Sequence, residues 1–315
     1  MGMAKELLKK VLLSTGYELK KNNPLVAPHN QAQIIENFIT LGSIPWSEGY
    51  IQYKEQEILK VLNDKTVMQE FVSDINLSAK FGFGLDERII EYPWFFSQVA
   101  NFESLANYYL DAGPVMNHEF LVERASKLAH TVHFTTLNHE DNCYQELDIS
   151  YLFSDLVNLP IKNEFYDLIS CISTLEHIGC NNACYGDLDS SLLNQKNYAY
   201  LDAAKELLRV LKPKGSLYIT IPFGRYMHLG MLQQFDNGML DRLLGVFDGL
   251  AKKCDFFKYL DSGWQKSDRE SCQDETFVEW LPSSLMNKAF PVPHPVETDK
   301  AAAARSICCI RVTKG

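Results

Sequence analysis

Acidic residues and glycines follow apolar runs at places where a bound cofactor could be held. In residues 107–120, NYYLDAGPVMNHEF, an apolar run is followed by Asp111 and Gly113 and then by a helical pattern. A glycine in such a turn lets the backbone approach a ligand closely, and the N-terminus of the next helix favours electronegative groups. A plain strand, turn and helix without a ligand explains this segment equally well.

A second acidic residue follows another apolar run. Asp155 comes directly after residues 150–154, and Asp167 opens the next apolar run. An acidic side chain at the C-terminal end of a strand can accept hydrogen bonds from an adenine amino group or a ribose hydroxyl. Further along, a helical pattern stops at Lys212–Gly215 and is followed by an apolar run that ends at Pro222. Together these segments predict a ligand-binding edge of a sheet.

The elements that must position these residues alternate in type along the chain. From about residue 107 onward, short apolar runs alternate with helical segments, which is typical of a parallel sheet with helices on its faces. The predicted strands are 107–112, 131–137, 150–154, 166–172, 215–222, 256–260 and 305–313. The predicted helices are 118–129, 196–211 and 238–253. We therefore expect an α/β fold with a doubly wound, Rossmann-like, seven-stranded sheet.

The N-terminal part has a different pattern. Residues 4–21 form an amphipathic basic segment that either packs on its own domain or contacts a membrane surface. Residues 31–71 are helical in pattern, with a break near Ile44 and a second amphipathic segment at 50–62. We predict an N-terminal helical cap over 1–84 and a sheet domain over 85–315.

Composition and charge exclude several classes of protein. Hydrophobic residues make up 46% of the chain and charged residues 22%, as in folded enzymes. A net charge of −10 disfavours nucleic acid as a partner. We find neither an apolar run long enough to cross a bilayer nor a signal peptide, and therefore expect a cytoplasmic protein without a transmembrane segment. Its eight cysteines, scattered without paired spacing, are expected to be reduced.

The order of the segments resembles class I S-adenosylmethionine-dependent methyltransferases, particularly bacterial ones that modify small molecules and surface glycans. The resemblance covers about residues 85–315. It implies S-adenosylmethionine as cofactor, with Asp111 and Gly113 matching the acid and first glycine of the family's first loop. Val115 and Asn117 stand where the family has later glycines, and Asn117 is included in the predicted cofactor site.

The resemblance also implies cofactor contacts after the second and third strands. The family usually has an acid after its second strand that holds the ribose hydroxyls. Here TTLNHEDN offers Asn138, Glu140 or Asp141, and we favour the first two. Asp155 and Leu156 match the positions beside adenine, where a carboxylate meets the exocyclic amine and a backbone amide meets the ring.

The segment STLEHIG follows the fourth strand, where the family joins cofactor to substrate. Ser173 would lie near the methionine part, and Glu176 and His177 are the candidate catalytic residues. His177 could take a proton from an attacking hydroxyl, or both residues could only brace the loop by hydrogen bonds. A zinc site at His177, Cys180 and Cys184 would lack a second paired cluster, so we predict no metal.

The loop after the fifth strand supplies candidate substrate contacts, because ligands bind at the C-terminal edge of parallel sheets. These are Arg225, Tyr226, His228, Gln233, Gln234 and Asp236. Such a hydrogen-bonding set suits a hydroxylated substrate, although a solvated loop needs no ligand. In the cap-edge motif DERIIEYPW, Tyr92 and Trp94 either close over the cofactor or pack the cap on the sheet.

These observations predict a methyltransferase acting on a small molecule or glycan. The N-terminal LLKKVLLSTGYELKK also resembles leader helices of bacterial glycan-modifying transferases, which favours O-methylation of a sugar-like acceptor. One alternative is a nucleotide-dependent oxidoreductase, although the three spaced glycines of the dinucleotide fingerprint are absent at Asp111–Asn117. The other is a catalytically silent Rossmann-like interaction protein.

Overall fold

A single eight-stranded sheet lies between two layers of helices. The structure is a computed structural model that describes residues 28–100, 105–137, 139–140, 142–180, 197–278 and 296–315. The segment 4–21, predicted to be a helix, lies outside the described residues. No helix in the described ranges is long and apolar enough to cross a membrane.

The strand order is that of a doubly wound sheet with an antiparallel extension. The strands are β1 (Ala106–Ala112), β2 (Ala129–Thr136), β3 (Ile149–Phe153), β4 (Tyr166–Ile172), β5 (Leu211–Pro222), β6 (Met227–His228), β7 (Gln233–Gln234), β8 (Ala251–Leu260), β9 (Gly263–Ser267) and β10 (Ser306–Thr313). In the large sheet the order is β3-β2-β1-β4-β5-β10-β8-β9, and β6 pairs with β7 separately. Neighbours from β3 to β5 are parallel, whereas β10 runs antiparallel to both β5 and β8.

Helices cover both faces of the sheet. They are α1 (Pro28–Thr40), α2 (Tyr50–Asn63), α3 (Lys65–Glu70), α4 (Arg88–Val99), α5 (Glu119–Ser126), α6 (Tyr200–Val210), α7 (Asn237–Val246) and α8 (Arg269–Cys272). Helices α1, α2, α4 and α5 contribute to the core on one face, and α6 and α7 to the core on the other. In β1, Tyr109 enters the first core and Leu110 the second, as the alternation of a strand requires. The doubly wound α/β prediction is confirmed.

Several predicted boundaries are wrong. The sheet has eight strands rather than seven, because 263–267 forms β9, an antiparallel hairpin partner of β8. The helix predicted over 238–253 ends at Val246, and β8 already begins at Ala251. The lysines at 252 and 253 fit a helical pattern, but they lie on an exposed part of a strand. Strand β5 begins at Leu211 rather than at 215, with a shift of register against β4 that accommodates Pro213.

The loop after α3 is attached to the edge strand β9. The backbone N–H of Trp264 donates to the carbonyl of Phe81 (2.7 Å), and its indole N–H donates to the carbonyl of Leu85 (2.9 Å). The backbone N–H of Lys266 donates to Asn76 (3.0 Å). Trp264 is fully buried, so the helical N-terminal region and the sheet share one apolar core.

A buried polar cluster joins α2 to the start of α4. Asp86 accepts hydrogen bonds from the Tyr50 hydroxyl (3.1 Å) and from Lys54 Nζ (2.6 Å). The Tyr50 hydroxyl also accepts from the backbone N–H of Asp86 (2.9 Å). Burial, followed by the Asp86 charge, raises the pKa of Tyr50. Because Tyr50 and Asp86 are buried, their polar groups depend on these partners.

Tyr50→Phe removes the hydroxyl and leaves both the Asp86 carboxylate and its N–H with one partner fewer. We expect a loss of about 1–3 kcal/mol of unfolding free energy, measured by denaturant titration. Tyr198→Phe is the matched control, because Tyr198 is 40% exposed. Equal stability of the two variants would contradict this account of the cluster.

Candidate functional site

The predicted cofactor residues come together at one edge of the sheet. Because β1 pairs in parallel with both β2 and β4, the loops after these strands leave the sheet on the same side. β3 adds its own C-terminal end beside β2. The Rossmann-like fold therefore places the loops beginning at Gly113, Leu137, Ser154 and Ser173 along one edge.

Asp111 shapes the first loop from within the core. Its Oδ1 accepts from Ser170 Oγ (2.6 Å) and its Oδ2 accepts from the backbone N–H of Met116 (2.7 Å). The Tyr109 hydroxyl lies 2.7 Å from Ser170 Oγ and extends this chain. Burial raises the pKa of Asp111 to about 7, against the opposing effect of the Ser170 and Met116 hydrogen bonds. These hydrogen bonds of Asp111 hold the first loop in its observed path.

Gly113 is required where the first loop meets the loop after β4. Its φ is +92°, and an added Cβ would overlap the Thr174 side chain. The glycine thus permits both a left-handed backbone and close packing of the two loops.

Asn117 links the first loop to the segment after β2. Its amide nitrogen donates to Glu140 Oε2 (3.2 Å), and its amide oxygen accepts from the Tyr151 hydroxyl (2.7 Å). Glu140 Oε1 accepts from Thr136 Oγ1 (2.9 Å), so this carboxylate reaches back to the end of β2. The structure brings the predicted pair Asn117 and Glu140 together. Asn138 and Asp141 lie outside the described residues.

Asp155 and Leu156 lie at the end of β3, beside exposed apolar side chains. Asp155 is exposed, and its Oδ1 accepts from the backbone N–H of Val157 (3.0 Å), whereas Leu156 is buried. Phe153 is 50% exposed and Leu137 46% exposed at the ends of neighbouring strands. This part of the edge thus offers an apolar surface next to a carboxylate.

Ser173 is tied to a residue that the sequence reasoning missed. Its Oγ donates to Glu91 Oε1 (2.6 Å), which also accepts from Thr220 Oγ1 (2.6 Å). Glu91 Oε2 accepts from Arg88 Nη1 (2.7 Å). Arg88 and Glu91 belong to the DERIIEYPW motif, in which the sequence predicts roles for the aromatic residues alone. The available signal was a pair of charges three residues apart in an otherwise apolar helix.

Glu176 and His177 are adjacent in the buried turn after β4. Burial raises the pKa of Glu176 to about 8, and its Oε2 has no hydrogen-bond partner among the described residues. Burial and the Arg88 charge lower the pKa of His177 to about 4, although its Nδ1–H donates to the carbonyl of Met231 (2.7 Å). At neutral pH the carboxyl group is therefore largely protonated and the imidazole is neutral.

The predicted substrate residues divide into two groups. Gln233 exchanges two hydrogen bonds with the backbone of Asn197, and Gln234 donates to the carbonyls of Arg225 and Glu275. Asp236 caps α7 by accepting from the N–H of Met239. These contacts give Gln233, Gln234 and Asp236 structural roles. Arg225 is exposed in the same loop. Tyr226 and His228 are half-buried, and the Tyr226 hydroxyl and His228 Nε2 are enclosed, so Arg225 offers the accessible polar group of these three.

The cap-edge aromatics have different neighbours. The indole N–H of Trp94 donates to Asp255 on β8 (2.9 Å), which confirms that this residue packs against the sheet. The Tyr92 hydroxyl donates to the carbonyl of Val115 in the first loop (3.2 Å). Helix α4 therefore contacts the first loop through Tyr92.

No group of three metal-binding side chains occurs within the described ranges. Cys180 is buried beside the turn of His177, and its thiol lies 3.4 Å from the carbonyl oxygen of Glu176. Cys184, the third member of the zinc alternative, lies outside the described residues.

The fold of this chain is similar to solved structures of methyltransferases. No protein-family model matches the chain, and no significant match is found among curated proteins. The N-methyltransferase NodS from Bradyrhizobium japonicum WM9 is 10% identical, with a TM-score of 0.41, 83% of this chain covered and 98% of that one. The 1,6-didemethyltoxoflavin-N1-methyltransferase of Burkholderia thailandensis is 13% identical, with a TM-score of 0.41 and 93% of each chain covered. A possible histamine N-methyltransferase from Thermotoga maritima is 14% identical, with a TM-score of 0.38, 90% of this chain covered and 100% of that one. Similarity at this level assigns no activity.

Gly113→Ala should destabilise the protein by about 1–3 kcal/mol, because it adds backbone strain and an overlap with Thr174. Thermal unfolding of Gly113→Ala and of Gly113→Ala/Thr174→Ala tests both causes, since the second substitution should recover part of the loss. Gly245→Ala is the matched control, because its Cβ would meet open space in α7. A Gly113→Ala protein as stable as Gly245→Ala would contradict this account.

Glu176 should make the stability of the protein decrease with pH. Its pKa is about 8 in the folded protein against an ordinary value of 4.5, so its proton stabilises the folded state fully below the lower value. That contribution is lost as pH rises through about 8, at up to about 1.4 kcal/mol per pH unit. Glu176→Gln cannot titrate, so its melting temperature should fall less than that of the wild type between about pH 5 and pH 8.

Glu146→Gln is the control for this measurement, because Glu146 is exposed to solvent in the turn before β3. Glu87 and Asp111 also have raised pKa values, so Glu176→Gln should retain part of the dependence. An unchanged pH dependence in Glu176→Gln would show that this carboxyl group is not the titrating one.

Proposed function

We propose that the protein is a class I S-adenosylmethionine-dependent methyltransferase acting on a small molecule or glycan. The observation that carries this proposal is the sheet topology combined with polar loops at its C-terminal edge. A dinucleotide-binding sheet has the strand order 3-2-1-4-5-6. Here the reversed strand β10 is inserted between β5 and β8, as in the class I methyltransferase fold.

The adenosine part of the cofactor is proposed to bind across the ends of β2 and β3. Leu137 and Phe153 supply exposed apolar surface that a flat heterocycle could cover. Asp155 and the backbone of Leu156 are the proposed adenine contacts. Glu140, oriented by Asn117, is the proposed acceptor for the ribose hydroxyls, together with Asn138. These donor and acceptor types fit the group.

The amino-acid part is proposed to lie over the first loop and the end of β4. Asp111 and Gly113 fix that loop, and Ser173 lies where β4 ends. Arg88 is a cation on α4 next to this region, because its Nη1 donates to Glu91, whose other oxygen accepts from Ser173 at the end of β4. A guanidinium group matches a carboxylate in shape and charge, so we assign Arg88 to the cofactor carboxylate.

When bound, the cofactor would supply a methyl group activated on a sulfonium. The residues of this chain would align the acceptor and exclude water. His177 is a weak base at neutral pH because burial lowers its pKa, and its Nδ1–H orients the ring toward Met231. This favours bracing over proton abstraction among the two roles proposed for Glu176 and His177.

The acceptor is proposed to be a hydroxylated, sugar-like molecule that undergoes O-methylation. Arg225 supports this assignment, because it is exposed in the loop after β5 and its guanidinium group can donate hydrogen bonds. Tyr226 and His228, in the same loop, stay proposed contacts. Gln233, Gln234 and Asp236 would hold that loop in its conformation through their hydrogen bonds to the backbone. We also propose that residues 1–84 form a cap on the sheet domain 85–315.

Calorimetric titration tests the proposal with S-adenosylmethionine, S-adenosylhomocysteine and NAD as ligands. We expect saturable binding of both adenosyl ligands and none of NAD. Asp155→Asn should weaken the binding of both adenosyl ligands by about tenfold or more, because its amide can place a donor N–H against the donor amino group of adenine. Asp202→Asn, on the exposed start of α6, is the control and should bind normally.

Binding of NAD alone would support the oxidoreductase alternative. Binding of no adenosyl ligand would support a catalytically silent interaction protein.

A further inference from the structure

We propose that Glu91 is a positioning residue that holds the Arg88 guanidinium at the ligand edge. This inference rests on the proposed function, because it takes the cofactor's carboxylate as the group that Arg88 meets. Glu91 itself is fully buried and would not touch the ligand.

Glu91 connects three parts of the fold through one carboxylate. Its Oε1 accepts from Ser173 Oγ at the end of β4 and from Thr220 Oγ1 in β5, both at 2.6 Å. Thr220 Oγ1 in turn accepts from the backbone N–H of Ser173 (3.0 Å). The two strands therefore hold one oxygen of Glu91 in place. The other oxygen is left to accept from Arg88 Nη1 (2.7 Å).

The strand side of this network is rigid. Ser173 has a φ of +39°, a left-handed conformation that a serine adopts only when its surroundings hold it there. Its N–H bonds to the carbonyl and side-chain oxygens of Thr220, and its hydroxyl bonds to Glu91. The Ser173 hydroxyl is thus committed to anchoring Glu91.

The other side of the network faces the site. The charge of Arg88 lowers the pKa of His118 and His177 and acts on the carboxyl groups of Asp111 and Glu176. The Arg88 guanidinium carbon lies 5.8 Å from the centre of the Tyr92 ring, whose hydroxyl donates to Val115 in the first loop, so the guanidinium lies beside the C-terminal edge. Its side chain is 24% exposed, whereas that of Glu91 is 0% exposed. The arginine is therefore the accessible end of a chain that begins in the core.

A purely mechanical contact between α4 and the sheet would not need a carboxylate. Burying a charge is costly unless it is paired and hydrogen-bonded, and apolar groups of similar volume often stabilise such a position as well or better. Glu91 has two hydroxyl donors and one guanidinium donor, which satisfies it fully in this role. The charge pair sets the direction of Arg88, which apolar packing cannot do.

The test compares two ligands in the full-length protein. S-adenosylhomocysteine carries the amino-acid part that Arg88 would meet, and 5′-methylthioadenosine lacks it. Glu91→Gln should weaken the binding of S-adenosylhomocysteine by about tenfold and that of 5′-methylthioadenosine by less than about twofold. A general loss of structure would weaken both ligands alike.

Thr220→Val provides a second variant in case Glu91→Gln does not fold. It keeps the side-chain shape in β5 but removes one donor to Glu91, and should weaken S-adenosylhomocysteine by about threefold or more. In an Arg88→Met background, neither substitution should weaken the binding of S-adenosylhomocysteine further, because the effect passes through Arg88. Glu57→Gln, which breaks an i,i+3 pair with Lys60 on α2, is the matched control and should bind like the wild type.

The inference is overturned if either variant binds S-adenosylhomocysteine like the wild type, or if its effect is undiminished in Arg88→Met. It is also overturned if both ligands weaken equally in a folded variant. Failure of the wild type to bind any adenosyl ligand would instead overturn the proposed function.

Discussion

The parallel pairing of β1 with β2 and β4 is the constraint on which the site depends. Parallel neighbours send their C-terminal ends to the same edge, so residues far apart in sequence meet there. Asp111 links this pairing to the conformation of the first loop, because it bonds to Ser170 on the neighbouring strand and to Met116 in the loop. The sheet thus determines the loop shape through one carboxylate inside the core.

Buried carboxyl groups are unusually concentrated around the first loop and α4. Glu91 is balanced by Arg88, whereas burial raises the pKa of Glu87, Glu176 and Asp111. A fold optimised only for stability would replace such groups by apolar ones, because charges lose hydration on burial. Under the proposed function, this edge is the one that faces the polar cofactor.

Local patterns allowed part of this structure to be predicted. The alternation of apolar runs and helices predicted β1 to β5, and the Asp111–Gly113 turn predicted a loop at the ligand edge. The sequence did not indicate β9, because GWQKS has no regular alternation and pairs only as a hairpin with β8. It did not indicate the role of Glu91 either, since Ser173 and Thr220 lie 82 and 129 residues away along the chain. Such contacts depend on the fold and leave no local spacing to detect.

The attachment of the N-terminal region to β9 has a consequence for how the sheet ends. An edge strand exposes unpaired N–H and C=O groups that can pair with another molecule and cause aggregation. Here Phe81 and Asn76 bond to the backbone of β9, and Leu85 bonds to the Trp264 indole. A chain lacking its first 84 residues would expose this strand together with the ring of Trp264. The segment 76–81 therefore occupies the outward N–H groups of Trp264 and Lys266, which a bare edge would leave open to a strand of another molecule.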